Sequence, residues 1–254
     1  MIIFAAANLR FATVIEQTVD MKTLMPILIV SALVICGACS QQPSAEVTPS
    51  DKDSAIAAVV PMQGTMSDAE NNEYQTVVIG SQEWMAENLR CTQFSDGKPI
   101  PVAQGQDSTK LMALRYLPDT NALRPFGYLY TGAVVERGIC PEGWRVPTAA
   151  DWQALMDTLA GSDFGSQLAA QADLWEAGAL VASPEFGKIG FGALPAGAAN
   201  CYGNFSYRSA ACFWTATETD DREAVSYTIE STSPRLNWDA NVGKKQGRSV
   251  RCVR

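Results

Sequence analysis

Cys36, Cys39, Cys91, Cys140, Cys201, Cys212 and Cys252 are the most reactive side chains in this chain, and no histidine accompanies them. Without an imidazole there is no Ser/His/Asp or Cys/His nucleophile pair, no histidine metal site and no histidine general base. Proton transfer would fall to carboxylates. Glu218, Asp220 and Asp221 cluster after the run Phe213 to Thr217. Three such groups are hard oxygen ligands of the kind calcium takes. No Asp-x-Asp-x-Asp-Gly loop accompanies them, so the expectation is a solvated acidic turn. Among the five cysteines after Cys39 no Cys-x-x-Cys occurs either, which argues against zinc. The sequence therefore implies no catalytic residue, no metal and no cofactor. Tyr202, Tyr207 and Trp238 lie in Gly, Asn and Ser-rich stretches where aromatic rings can stack on sugar faces. With Glu218, Asp220, Asp221 and Asp239 they define an expected ligand face on residues 197–210 and 218–239. Ordinary loop anchoring is the competing reading of those aromatics.

The address is written in the first forty residues. Lys22, the apolar run Leu24 to Ile35 and the small residues Gly37 and Ala38 form a secretory signal over 21–38. That run is too short for a permanent span, which needs about 20 apolar residues. Gly37-Ala38-Cys39 resembles the lipobox of bacterial lipoproteins, with Cys39 as the lipid-bearing mature N-terminus. Residues 1–20 contain Arg10, Glu16 and Asp20 ahead of this complete signal, so Met21 is expected to be the true start and 1–20 an upstream start artefact. Residues 39–73 are polar and aperiodic and read as a flexible tether, with a small apolar island at 56–60. The chain of 254 residues is 47% apolar and carries a net charge of −8. It has ample material for a core and no basic field to hold a nucleic acid.

The folded part opens with Tyr74 to Gly80 and Gln82 to Met85, two strands around a tight turn. Residues 92–125 are loop-rich. Thr148 and Asp151 have N-cap spacing, Trp152, Leu155, Met156 and Leu159 follow at helical intervals, and Gly161 stops the helix. A second, weaker helix is expected over Gln167 to Leu174. Strand patterns return at Phe191 to Pro195, Cys212 to Thr217, Val225/Tyr227/Ile229 and Ser249 to Val253. Helices between strand-bearing ends make an α+β domain in which the terminal strands pair. Trp84, Trp144, Trp152 and Trp214 are expected in the core.

Six ordered blocks carry a family resemblance: VVIGSQEWMAENLR (77–90), FGYLYTGAV (126–134), CPEGWRVPTAADWQALM (140–156), GFGALPAG (190–197), FWTATE (213–218) and GRSVRCVR (247–254). They are similar to the Fibrobacter succinogenes major paralogous domain family over residues 74–254. The resemblance implies a single α+β domain of the C-type lectin-like or formylglycine-generating-enzyme-like kind. Gly132, Val225 and Arg248 depart from that family's usual Trp, Trp and Phe. The stretch Arg145 to Trp152 also resembles the RLPTEAEW pattern of the formylglycine-generating enzymes. Their copper-binding Cys-x4-Cys pair has no counterpart, since Cys201 and Cys212 have ten residues between them, so fold kinship transfers and catalysis does not. In lectin-like folds the elements bearing Cys140 and Cys252 lie together, which implies a disulfide worth roughly 4 to 5 kcal/mol in the chain-entropy account. Cys201 and Cys212 flank a short loop and are expected to pair locally. Cys91 is then left over, either buried and free or displacing one of these pairings.

The expectation is an exported lipoprotein that presents a lectin-like recognition domain at the cell envelope, at the outer membrane or surface. It would touch the membrane through its lipid and bind a neutral or cationic glycan or a protein. The alternatives are a carboxylate-dependent enzyme that includes Glu218, and a structural envelope component. Acyl chains contribute about 0.8 kcal/mol per buried methylene, so the anchor is directly testable. The wild-type chain should sediment with membranes and show a diacylglyceryl mass on Cys39, and Cys39→Ser should be soluble. An unmodified wild type recovered entirely in the soluble fraction would contradict the assignment.

Overall fold

The computed structural model describes residues 63–103, 126–200 and 206–254, together with the backbone of 115–116. The signal, Cys39, the island at 56–60, Cys201 and Tyr202 lie outside these residues.

Tyr74, Val77 and Ile79 drive the first hairpin, burying their side chains while Glu73 and Gln75 stay in solvent. Strand β2 (Glu73–Ile79) turns through Gly80 and Ser81 into β3 (Gln82–Met85) with the register Val77 opposite Trp84. Gly80 has φ +62°, a conformation that glycine adopts without steric cost. A strand that periodicity does not reveal precedes them: β1 (Gln63–Ser67) pairs antiparallel with β2. It falls within the stretch expected to be tether. Its five residues, QGTMS, lie on an exposed edge with only Met66 packed against the core, so they carry no apolar alternation to read.

The expected pairing of the two ends is present. The Glu83 and Arg254 backbones exchange both hydrogen bonds at 3.0 Å, Met85 N donates to Cys252 O, and Leu89 N donates to Val250 O. Val253 also bridges to Arg145. The central strands are β4 (Arg115–Tyr116), β5 (Leu129–Thr131) and β9 (Gly247–Arg248), in sheet order β4-β5-β9. The third sheet is β6 (Ala210–Glu218), β7 (Glu223–Glu230) and β8 (Leu236–Gly243), joined antiparallel in that order. Val225, Tyr227 and Ile229 are buried, but so are Ala224 and Ser226, because both faces of β7 are covered. Strand β8 alternates Leu236, Trp238, Ala240 and Val242 with polar residues, and its first half falls in the 218–239 stretch expected to be ligand-bearing loop.

Helix α1 (Gly132–Arg137) follows β5 directly. Helix α2 (Ala149–Asp157) begins as its sequence requires: Thr148 accepts from Asp151 N while Asp151 accepts from Thr148 N, a complete capping box. Trp152 and Leu155 are fully buried on its inner face, and the helix ends at Asp157 with Thr158 as its C-cap, short of Leu159 and of the expected stop at Gly161. The weaker helix lies three residues earlier than expected, as α3 (Phe164–Leu168), followed by a single 3-10 turn at Ala172–Leu174. It breaks at Ala169, where Ala193 N donates to Leu168 O and Ala170 N donates to Ala193 O, which leaves Phe191 to Pro195 as a bridged loop rather than a strand. A short helix α4 (Ala179–Ala182) completes this layer.

Trp84, Trp152, Phe191, Phe213 and Tyr227 form one aromatic cluster with centroids 4.8 to 6.0 Å apart. Cys140 and Cys252 are disulfide-bonded across a sequence separation of 112. Cys212 is not bridged, contrary to the expected Cys201–Cys212 pair. It sits in β6 as a buried free thiol beside Arg248 and Thr228, on a strand face rather than at a loop edge. Cys91 is also buried and free, and burial pushes its thiol up to about 12.

Asp151 does more than cap α2. Its oxygens take a two-pronged bond from Arg145 at 2.5 and 2.7 Å, plus the Thr148 amide and hydroxyl at 2.7 Å each. The Arg145 guanidinium first, and Thr148 after it, hold this carboxyl far below the usual aspartate range. A depressed folded-state pKa contributes stability that is present above the unfolded value, about 3.9, and is lost as pH falls toward the folded value. Asp151→Asn should therefore cost about 1–2 kcal/mol in urea unfolding at pH 7 and much less at pH 2.5. An equal cost at both pH values would contradict the charged role.

Candidate functional site

The row Phe213, Tyr227 and Trp238 runs straight across β6, β7 and β8. Directly opposed residues share a sheet face. Helix α2 covers the inner part of that row, where Trp152 stacks on Tyr227 at 4.8 Å and 16°. Trp238, on the outer strand, is left 64% exposed while the other large aromatics are packed. Asp239 follows it and points to the opposite face, its Oδ1 accepting from Asn241 N at 2.8 Å.

The other members of the expected ligand face lie elsewhere. Glu218 ends β6, 3.3 Å from the Nζ of Lys244, which also pairs with Glu136 at 2.5 Å. Burial works against the Lys244 charge, yet the hydrogen bonds it donates to Glu136 and Glu218 outweigh it and raise its pKa. Asp220 accepts from the amides of Arg222 and Glu223 at 2.7 Å each, which lowers its carboxyl, and Asp221 is exposed beside it in the same turn. The acidic cluster is thus the expected exposed turn, with Asp220 accepting the amides. Tyr207 lies before the start of β6 and stacks on Phe126 at 6.4 Å. A nine-residue strand spans roughly 26–30 Å, so Tyr207 and Glu218 stand at opposite ends of the sheet. Glu218, Asp220 and Asp221 share one turn, which Thr219 ties to β8 next to Asp239 by donating its hydroxyl to Ala240 O at 2.9 Å, while Tyr207 stands apart. No group of His, Cys, Asp or Glu side chains is placed to hold a metal ion among the described residues.

A concavity of about 1010 Å³ lies on the other side of the disulfide, between the turn after β1, the loop around Phe94 and the segment from Gly138 to Val146. Its floor is apolar, with Ile139, Pro141, Trp144 and Val146. Its polar walls are held by local bonding. Asp68 accepts from the amides of Glu70 and Asn72 at 2.9 Å each, from the Asn72 side chain at 2.8 Å and from the Tyr74 hydroxyl at 2.9 Å. Glu70 accepts from Thr92 N at 2.6 Å, Thr92 Oγ1 at 2.7 Å and Gln93 N at 2.9 Å. These bonds tie the turn after β1 to the segment following Cys91. Phe94 is 3% exposed under the Arg137 guanidinium, which lies 3.8 Å from its ring centre. Trp144 is 9% exposed, with Arg254 at 4.9 Å over its ring.

Sequence reasoning did not single out this groove. Asp68 and Glu70 fell within the presumed tether, and the Cys140 to Trp144 block reads as framework. The signal that was available is the acceptor-rich run Asp68 to Asn72 immediately before a β-branched strand, which is turn chemistry.

The family model of the Fibrobacter succinogenes major domain matches residues 77–254. No curated protein and no solved structure matches the chain.

Proposed function

The chain belongs to the Fibrobacter succinogenes major domain family, and we propose that it is an exported recognition protein, anchored by lipid on Cys39, whose folded domain binds a partner at the cell envelope. The partner class is a neutral or cationic glycan or a protein, and the outer membrane or cell surface is the place for it. The observation that carries this reading is the groove beside the disulfide, a preformed concavity of about 1010 Å³. Its Asp68, Glu70 and Arg145 already have their partners inside the domain. The Cys91 thiol in its wall is held at about 12 by burial. These four side chains keep the groove's shape and are not poised as nucleophile or base, which favours binding over catalysis. Glu218, the carboxylate expected in an acid–base pair, is engaged with Lys244 instead. Kinship with C-type lectin-like folds is supported by the return of the C-terminal segment beside the first hairpin and by the Cys140–Cys252 staple.

Ala69 lines the groove and its side chain is exposed, so Ala69→Trp fills the space at little cost to the fold. On arrays of neutral and amino-sugar glycans and of peptides, the detergent-purified full chain should bind a defined subset. Ala69→Trp should lose at least about tenfold in affinity, and Trp238→Ala should not. Failure of the wild type to bind any feature, or binding unchanged in Ala69→Trp, would overturn the reading.

A further inference from the structure

The groove is lined by the carboxylates of Asp68, Glu70 and Glu142 against the single guanidinium of Arg145, and Arg145 is already bidentate to Asp151. Beyond Phe94, Arg137 and Lys98 are both held by Asp96, at 3.3 and 3.0 Å. A carboxylate has about four acceptor sites. Asp68 fills four with neutral donors and Glu70 fills three. Asp68 and Glu70 therefore present negative charge to the groove with almost no vacant directional acceptor, and the exposed Glu142 adds a further negative charge.

That combination discriminates between ligand classes. A sugar needs free hydrogen-bonding groups for its hydroxyls and an open aromatic face for its C–H surface. Here the acceptors of Asp68 and Glu70 are taken, and Phe94 and Trp144 are buried beneath Arg137 and Arg254. A lysine or arginine side chain asks for less. Its aliphatic stem lies on an apolar floor and its head needs only nearby negative charge.

We infer that the groove holds an extended peptide segment in which lysine or arginine side chains alternate with apolar ones. This rests on the recognition reading and names its partner: a basic, apolar stretch of another protein. The apolar side chains contact Ile139, Pro141 and Val146, and the basic heads sit against Asp68, Glu70 and Glu142. The domain's own acidity, within a chain of net charge −8, raises the encounter rate with such a partner.

Fluorescence polarisation with the detergent-purified full chain tests it, using a labelled octapeptide alternating lysine and valine, its glutamate–valine counterpart and a labelled chitosan oligosaccharide. The lysine peptide should bind, weaken strongly at 0.5 M salt, and lose about tenfold in affinity in Glu142→Lys. Glu142→Gln should show a smaller loss in the same direction. Asp221→Lys, which reverses an exposed charge outside the groove, should leave affinity within about twofold, and the glutamate peptide should not bind. Equal losses in Glu142→Lys and Asp221→Lys would reduce the effect to general attraction and overturn the inference. Chitosan bound in an Ala69→Trp-sensitive manner, with no peptide binding, would refute the peptide assignment while leaving the recognition reading standing. No binding of either probe, in an array-silent protein, would end both.

Discussion

Arg251 is a wholly buried guanidinium with no carboxylate bonded to it, and the way it is held organises the domain. Its Nε donates to Asn88 Oδ1 at 2.8 Å, Nη2 donates to Gly192 O at 2.8 Å, and Nη1 donates to Phe191 O. Its plane lies 4.4 Å from the Phe191 ring centre and 5.3 Å from that of Phe213. Burial pulls the group down to about 9, so it remains charged near neutral pH. A buried charge is tolerated only where every donor finds an acceptor. The segment after β3, the Gly190 to Gly192 loop and the C-terminal segment must therefore all be in place together. Gly192 serves this directly: at φ +74°, a Cβ there would come within 2.6 Å of Ala86 O, so only glycine brings that carbonyl to the guanidinium.

Asn88 extends the same constraint outward. Its amide donates to Phe126 O at 2.8 Å and to Ser249 Oγ at 3.2 Å, linking the start of the second family block to the last one. One residue beyond Arg251, Cys252 is bonded to Cys140, and Cys140 lies in the groove wall. The C-terminal segment thus clamps the aromatic cluster on one side and fixes the Cys140 to Val146 wall on the other. The groove is rigid because its far wall is covalently fastened to the strand that Arg251 holds. A preformed wall of this kind spares a ligand the entropy of ordering it.

What was legible in the sequence is what local chemistry dictates. The β2–β3 hairpin, the Thr148/Asp151 capping box and the buried tryptophans all follow from spacing and residue type. Strand β1 was not visible because QGTMS carries no apolar alternation, whereas β8 does alternate, with Leu236, Trp238, Ala240 and Val242 at every second position, and was missed because its first half falls in the 218–239 stretch expected to be ligand-bearing loop. The weaker helix was misplaced because Ala169 and Ala170 favour helix by propensity, while the partner that pulls them into a bridge, Ala193, is distant in sequence. The ligand-face residues were grouped by composition and proximity in the chain. The antiparallel path of β6 and β7 instead carries Tyr207 and Glu218 to opposite ends of one sheet, and the strand pleat turns Trp238 and Asp239 away from each other. The groove draws its walls from three separated segments, which no local pattern announces.

The central claim is that the fork of Arg251, and not merely its charge, locks these segments together. Urea unfolding of Arg251→Lys measures this directly, because lysine keeps the charge but presents a single ammonium in place of the planar donor array. The account predicts a loss of about 2–4 kcal/mol, from acceptors left unpaired at Phe191, Gly192 or Asn88. A lysine variant as stable as the wild type would contradict it.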